Sequence, residues 1–263
     1  MNQNQLHAGH VALVTGAAGG IGQAVVRRLA AGGASVALVD ADARVEGVAK
    51  QLKGEFPDVD LRGYATDITD TEKVRQLARS VEDDFGRLDS VALVAGVVQT
   101  AAPIAQLGRA EWDRVLGVNL TGPYEMTHAL SPLLARDGGG SITAVSSWWG
   151  RSGHAYFAAY CAAKAGLIVF VQAVAAELAP TVRVNTICPG NINTRMHQEA
   201  LRSEAEERGV SYEDIKASEW AKIPLGKAGE PEDIAEAIYF LSSPAASYIT
   251  GASLDVNGGV VFH

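Results

Sequence analysis

The run His10–Asp40 reads HVALVTGAAGGIGQAVVRRLAAGGASVALVD. Its first six residues, His10–Thr15, are short and mostly apolar, as suits a strand buried on both faces. Thr15-Gly16-Ala17-Ala18-Gly19-Gly20-Ile21-Gly22 follows as a glycine-rich turn, leading into a helix-length segment over 21–32 that Gly32-Gly33 can stop. A second apolar run, Ser35–Asp40, completes the unit. Strand, glycine turn, helix and strand in this order let backbone approach a pyrophosphate and aim the free N–H groups of a helix N-terminus at it. Glycines alone would mark any tight turn; their place between strand and helix carries the reading. Gly16, Gly20, Ile21 and Gly22 are therefore candidate cofactor contacts. Asp40 can be a turn residue. After such a turn it can also accept hydrogen bonds from adenosine ribose hydroxyls and repel a 2′-phosphate. Ala17, Ala18 and Ala41 offer no neighbouring cation for that phosphate, so NAD is favoured over NADP.

The same rhythm extends outward. Strands are predicted at Leu61–Ala65, Ser90–Val94, Ser141–Ser146, Val182–Ile187 and Ser253–Val256, with helices near 42–55, 71–85, 109–136, 154–179 and 231–242. Asp70 or Thr71 can cap the third helix, and Pro231 suits a helix first turn. Apolar runs alternating with helices predict an α/β fold, a doubly wound parallel sheet of about seven strands in a single domain. With 263 residues, 48% of them apolar, the chain suffices for one large core. A net charge of −8 argues against nucleic acid or an anionic membrane as main partner. The polar start Met1–His10 lacks a secretory pattern, and no apolar stretch reaches the ~18 residues of a membrane span. Cys161 and Cys188 read as buried thiols of a reducing compartment, so a cytoplasmic location is expected. Residues 195–222, charged and helix-favouring beyond a strand's carboxyl end, are expected to form a lid over substrate. No metal-ligand set is apparent.

Tyr160-Cys161-Ala162-Ala163-Lys164 sets a phenol and an ammonium on one helix face. A free tyrosine titrates near pH ~10, and a neighbouring cation would bring it toward working range. The chain resembles a classical short-chain dehydrogenase/reductase, a Rossmann-type fold, over essentially its whole length. Thr15–Gly22 is similar to that family's TGxxxGxG turn and Tyr160–Lys164 to its YxxxK motif. Asp67-Ile68 matches an acidic-aliphatic pair, Asn119 a helix asparagine, Pro189-Gly190 with Thr194 the nicotinamide-side motif, and Asn257-Gly258-Gly259 a C-terminal glycine pair. The resemblance implies that Tyr160 exchanges a proton with the substrate oxygen. It implies that Lys164 lowers the tyrosine pKa and bonds the nicotinamide ribose, and that Asn119 holds a relay water. Ser146 and Ser147 are adjacent, so in extended backbone only one can face the tyrosine. The family spacing of thirteen residues selects Ser147. Further cofactor contacts implied are Asp67, Ile68, Ala95, Gly96, Tyr160, Lys164, Pro189, Gly190, Ile192 and Thr194. One departure is Leu93-Val94-Ala95-Gly96, where the family commonly carries NNAG; both asparagines are absent.

Residues just past strand ends, Val97 to Ala101, Trp148 to Tyr156 and Asn191 onward, would line the pocket, with Val98, Trp148, Trp149, His154, Tyr156 and Met196 as its candidate contacts. Arg151, Arg195 and His197 could meet an anionic group. These features suit a compact or flat secondary alcohol or ketone, so the expected activity is NAD(H)-dependent alcohol dehydrogenase or ketone reductase. The competing readings are an NADPH-dependent 3-oxoacyl thioester reductase and an inactive dinucleotide-binding sensor. By analogy with the family, helices 109–136 and 154–179 are expected to pack in a homotetramer, with a dimer as the alternative.

Overall fold

The computed structural model describes residues 7–136 and 138–262, with residues 196, 203 and 207 described by their backbone alone. Met1–Leu6 of the polar leading segment therefore lie outside the described residues. The chain begins β1 (Val11–Thr15), α1 (Gly20–Ala31), β2 (Ser35–Asp40), α2 (Arg44–Glu55), β3 (Leu61–Ala65), α3 (Thr71–Phe85) and β4 (Ser90–Leu93). It continues through α4 (Arg109–Leu116), α5 (Gly122–Arg136), β5 (Gly140–Val145), α6 (Ala158–Leu178) and β6 (Val182–Pro189). It ends with α7 (Arg195–Arg208), α8 (Tyr212–Trp220), α9 (Pro231–Ser242) and β7 (Ser253–Val256).

All seven strands form one parallel sheet ordered β3-β2-β1-β4-β5-β6-β7. Alternate side chains enter two cores. Ala12, Val14, Val36 and Leu38 pack with α1, α2 and α9 through Val25, Leu29, Leu52 and Ile234. Val11, Leu13, Ala37 and Val39 face α3, α5 and α6 through Leu77, Val81, Leu130 and Leu167. This is the doubly wound Rossmann arrangement, and its strand order reverses between β1 and β4. Ligands bind outside the carboxyl ends of strands at such a switch point.

Several elements depart from the sequence reading. The segment 109–136 is not uniformly α-helical: Gly117–Thr121 forms a π turn between α4 and α5. There the Asn119 side chain donates to the Val115 carbonyl at 2.9 Å, occupying the acceptor an α-helix would give its own backbone. Helix α6 begins at Ala158 rather than 154, because Tyr156 has φ +70°, which ordinary helix excludes. Strand β6 runs on to Pro189. Strand β3 is a half-exposed edge strand, with Arg62 and Tyr64 reaching out to Asp60 and Asp84. Asp70 caps α3, Gly32 ends α1, and Pro231 opens α9, as read.

Contrary to the expectation from hydropathy, α6 is long and apolar enough, by length and composition, to cross a membrane. Its inner face is spent on the sheet instead, with Leu167, Val171 and Ala175 in the core beside β6. Cys161 and Cys188 are free and buried. Segment 195–222 consists of α7 and α8, capped by Thr194 and Ser211 and packed together through Leu201, Ala205 and Ile215.

Candidate active site

The switch point is closely built. Gly16 has φ +67°, and a Cβ on it would stand 2.9 Å from the Cα of Ala95, so the ends of β1 and β4 meet there. The Thr15 hydroxyl fastens that meeting by accepting from Val94 N at 3.0 Å and Ala95 N at 3.1 Å. This stitch binds the two strand ends where the family's asparagines are missing. Helix α1 starts after Gly19, and among the described residues no side chain caps it. Its first N–H groups, at Gly20, Ile21 and Gly22, thus keep the donor capacity and positive dipole end that suit an anion. Gly20 also lies against Thr194, the N-cap of α7.

Asp40 ends β2, and its carboxylate accepts from Ala18 N at 2.9 Å and Asp42 N at 3.0 Å. It braces the glycine turn and retains lone pairs for further donors. Arg44 is the nearby cation missed in the sequence. Its guanidinium is held by Asp42 at 2.6 Å, and both carboxylates, Asp42 foremost, raise its pKa. Asp67 accepts from Thr69 N at 2.9 Å and the Thr69 hydroxyl at 2.8 Å. The side chains of Ile68 and Ile192 are buried in the cores, which leaves their backbone for any cofactor contact. Gly190, following Pro189, donates to the Val256 carbonyl at 3.0 Å. An unpartnered helix start, a close-packed turn and a carboxylate at the next strand end together fit a dinucleotide.

Beyond the turn, the four candidate catalytic residues converge. Gly96 separates two of them: a Cβ there would lie 2.9 Å from Asn119 Oδ1 and 3.3 Å from Lys164 Nζ. Asn119 is fully buried; its amide accepts from Val97 N at 3.3 Å and donates to Val97 O at 2.8 Å. Lys164 Nζ donates to the Val145 carbonyl at 2.9 Å and stands 5.8 Å from the Tyr160 ring centre. Ser147 lowers the Tyr160 pKa through its hydroxyl and accepts from Trp149 N at 3.1 Å. Ser146 instead donates to the Lys164 carbonyl at 2.8 Å, a structural hydroxyl under α6.

The electrostatics differ from the expectation that Lys164 dominates the phenol. Burial pushes Tyr160 up to about 12, with the Ser147 hydrogen bond pulling it down. Burial also brings Lys164 down to about 8, because the ammonium has lost its water.

Around Tyr160 the expected pocket residues form an aromatic wall. Trp149 lies edge-on to Tyr160 at 5.9 Å and stacks on His154 at 4.5 Å, while Trp148 meets His154 edge-on at 4.7 Å. Burial holds the His154 pKa below the usual histidine value. Val98 and Tyr156 are exposed on the neighbouring loops, and the Met196 side chain lies outside the described residues. The basic residues expected to meet an anion are engaged elsewhere. Arg151 bonds the Ser253 carbonyl at 2.9 Å and Asp255 at 3.2 Å, and Arg195 pairs with Glu199 at 2.6 Å. His197 is lowered by burial, with Glu219 acting oppositely. Gln99, inside the stretch 97–101 expected past a strand end, is buried against the start of α6, a role that the sequence reading did not give it.

The profile of a family described as "Enoyl-(Acyl carrier protein) reductase" matches residues 16–261. The chain is 35% identical to the 3-oxoacyl-acyl-carrier-protein reductase FabG of Thermotoga maritima, covering 96% of this chain and 98% of that one. It is 38% identical to cis-4-hydroxycyclohexanecarboxylate dehydrogenase of Sinomonas cyclohexanicum, covering 96% of both. Among solved structures, NAD+-bound xylitol dehydrogenase superposes with a TM-score of 0.90 at 30% identity, over 96% of this chain and 99% of that one.

Proposed function

The chain belongs to the classical short-chain dehydrogenase/reductase family and is an oxidoreductase, and from that premise we propose that it interconverts a secondary alcohol and a ketone with NAD(H). The observation that carries the proposal is the convergence of Asn119, Ser147, Tyr160 and Lys164 beside the Gly16–Gly22 turn. The nicotinamide cofactor, when bound, supplies the hydride acceptor or donor. Gly16, Gly20, Ile21, Gly22, Asp67, Ala95, Gly190 and Thr194 would hold it, with Asp40 at the ribose. Tyr160 gives its phenolic proton to the ketone oxygen in one direction and takes it back in the other. Ser147 holds that oxygen and polarises the carbonyl. Lys164 would bond the cofactor's ribose and pass the proton onward, with Asn119 shaping the path. Helices α7 and α8 form the lid.

Asp40 supports NAD, since a carboxylate already ordered by two backbone donors would repel a 2′-phosphate. Arg44 does not reverse this, because Asp42 already engages it. The similarity to a 3-oxoacyl-acyl-carrier-protein reductase favours the thioester reading as second choice. The assembly we assign is a homotetramer, with a dimer as the alternative, and the location is the cytoplasm.

The test is a screen of secondary alcohols and ketones with NADH and NADPH, repeated on Tyr160→Phe. We expect turnover with preference for NADH, and Y160F to lose about 100-fold or more while still binding NADH. Near-wild-type turnover in Y160F would sink the assignment, and a strong NADPH preference would reverse the cofactor.

A further inference from the structure

The proposed acid/base group occupies the weakest part of its helix. Tyr160 is the third residue of α6, and the α6 N-cap, Phe157, offers no side-chain acceptor. First-turn N–H groups have no partner inside a helix, so an uncapped first turn frays. Here the acceptor arrives from sixty residues away in sequence. Gln99 Oε1 accepts from Ala159 N at 2.8 Å and Tyr160 N at 3.3 Å. The other end of the same amide, Nε2, donates to the Tyr156 carbonyl at 2.7 Å. Two N–H groups at one end and a carbonyl at the other fix which way the amide faces. That carbonyl belongs to a residue with φ +70°, and Ala102 N also donates to it at 3.1 Å.

Gln99 is itself held on a fixed loop. Asn119 bonds both N and O of Val97, Arg114 donates to Val98 O at 2.9 Å, and Glu111 accepts from Thr100 N at 2.7 Å. The buried Gln99 side chain, 3% exposed, carries this anchorage across to α6. Val98 and Tyr156, on opposite loops of the pocket, are thereby joined through one amide.

We propose that Gln99 is a positioning residue for Tyr160: it caps the first turn of α6 from across the pocket and clamps the Tyr156 loop that precedes it. This rests on the reading of Tyr160 as the acid/base group. Lys164, a turn deeper and tied to Val145, does not depend on the clamp. A primary amide is required, because one side chain must accept at one end and donate at the other.

The experiment compares Gln99→Met and Gln99→Glu with wild type, well below each variant's melting temperature. Q99M keeps the length and loses both functions. We expect its kcat to fall about 10- to 100-fold, the scale of a group displaced by about an ångström, with NADH affinity held within about twofold. Amide exchange in the peptide 157–164, followed by mass spectrometry, should accelerate. Q99E regains its donor only when protonated, so its activity relative to wild type should climb as pH falls toward the ordinary glutamate range. A Q99M protein with wild-type kcat and unaccelerated exchange overturns the proposal. If Q99M does not fold, a Q99E to wild-type ratio that stays flat with pH overturns it. Absence of turnover in wild type would instead refute the acid/base reading, and the exchange comparison would still decide the clamp.

Discussion

Tyr160 and Lys164 lie one helical turn apart, and burial shifts both toward their neutral forms, the phenol to about 12 and the amine to about 8. A phenol that keeps its proton is a ready acid for a ketone, and an alcohol can be oxidised only as the phenol gives that proton up. The sign follows. With the phenol's pKa raised, its ionised fraction grows throughout the range below about 12. Alcohol oxidation should therefore gain in kcat/KM between about pH 6 and about pH 9, while ketone reduction stays level or declines. Initial rates in both directions across that range check this, and an oxidation rate that falls with rising pH would contradict it. The pair itself was legible in the sequence, because a four-residue spacing fixes a shared face. Its charge state was not, since the burial comes from Trp149, Val115 and, beneath Lys164, the end of β5. Nor was the bonding of Gln99 legible, for its partners at Tyr156, Ala159 and Tyr160 are 57 to 61 residues away.

At the scale of elements, the sequence named every strand to within two residues, because buried parallel strands leave unbroken apolar runs. It did not show the π turn at Asn119, where a side chain takes the Val115 carbonyl, or the late start of α6, set by the left-handed Tyr156, because periodicity encodes neither. Helix α6 makes a further demand. It is apolar nearly all round, and beyond its core face Ala162, Val169, Ala173 and Ala176 remain exposed, spaced seven, four and three residues apart. Val169 alone is 63% exposed. Such a stripe, with small residues that let helices approach closely, suits packing against the same helix of a second copy. Val169→Glu would set a charge at its centre and, in a symmetric interface, oppose it with its own copy. Sedimentation at micromolar concentration should show the assembly reduced to smaller species, with the far-ultraviolet spectrum unchanged. An unaltered sedimentation coefficient would exclude this face.

Across the whole molecule, the start of the described chain is tied to α9 through the imidazole of His7. Fully buried His7, ahead of β1, bonds the Tyr239 carbonyl of α9 through Nε2 at 3.2 Å and lies 3.3 Å from the Ser242 hydroxyl. Its ring meets that of Tyr239 at 4.6 Å, and the Arg28 guanidinium covers the same tyrosine. The sequence pattern located α1 and α9 separately, but nothing in it tied residue 7 to residue 239. Burial lowers His7 to about 4; the Tyr239 bond opposes this, and His10 and Arg28 reinforce it. Unfolded, the same ring titrates near 6.5. Between these values the unfolded chain binds the extra proton, so stability is complete above about pH 6.5 and drains away as pH falls toward 4. The shift corresponds to at most about 3 kcal/mol. His154 and His197, also lowered by burial, act in the same direction. His7→Phe preserves an aromatic ring against Tyr239 and removes the titration. Its denaturation midpoint in urea should depend less on pH between about 4 and about 6.5 than that of wild type. Equal slopes in the two proteins would mean that His7 is not the group through which acid opens the closure between β1 and α9.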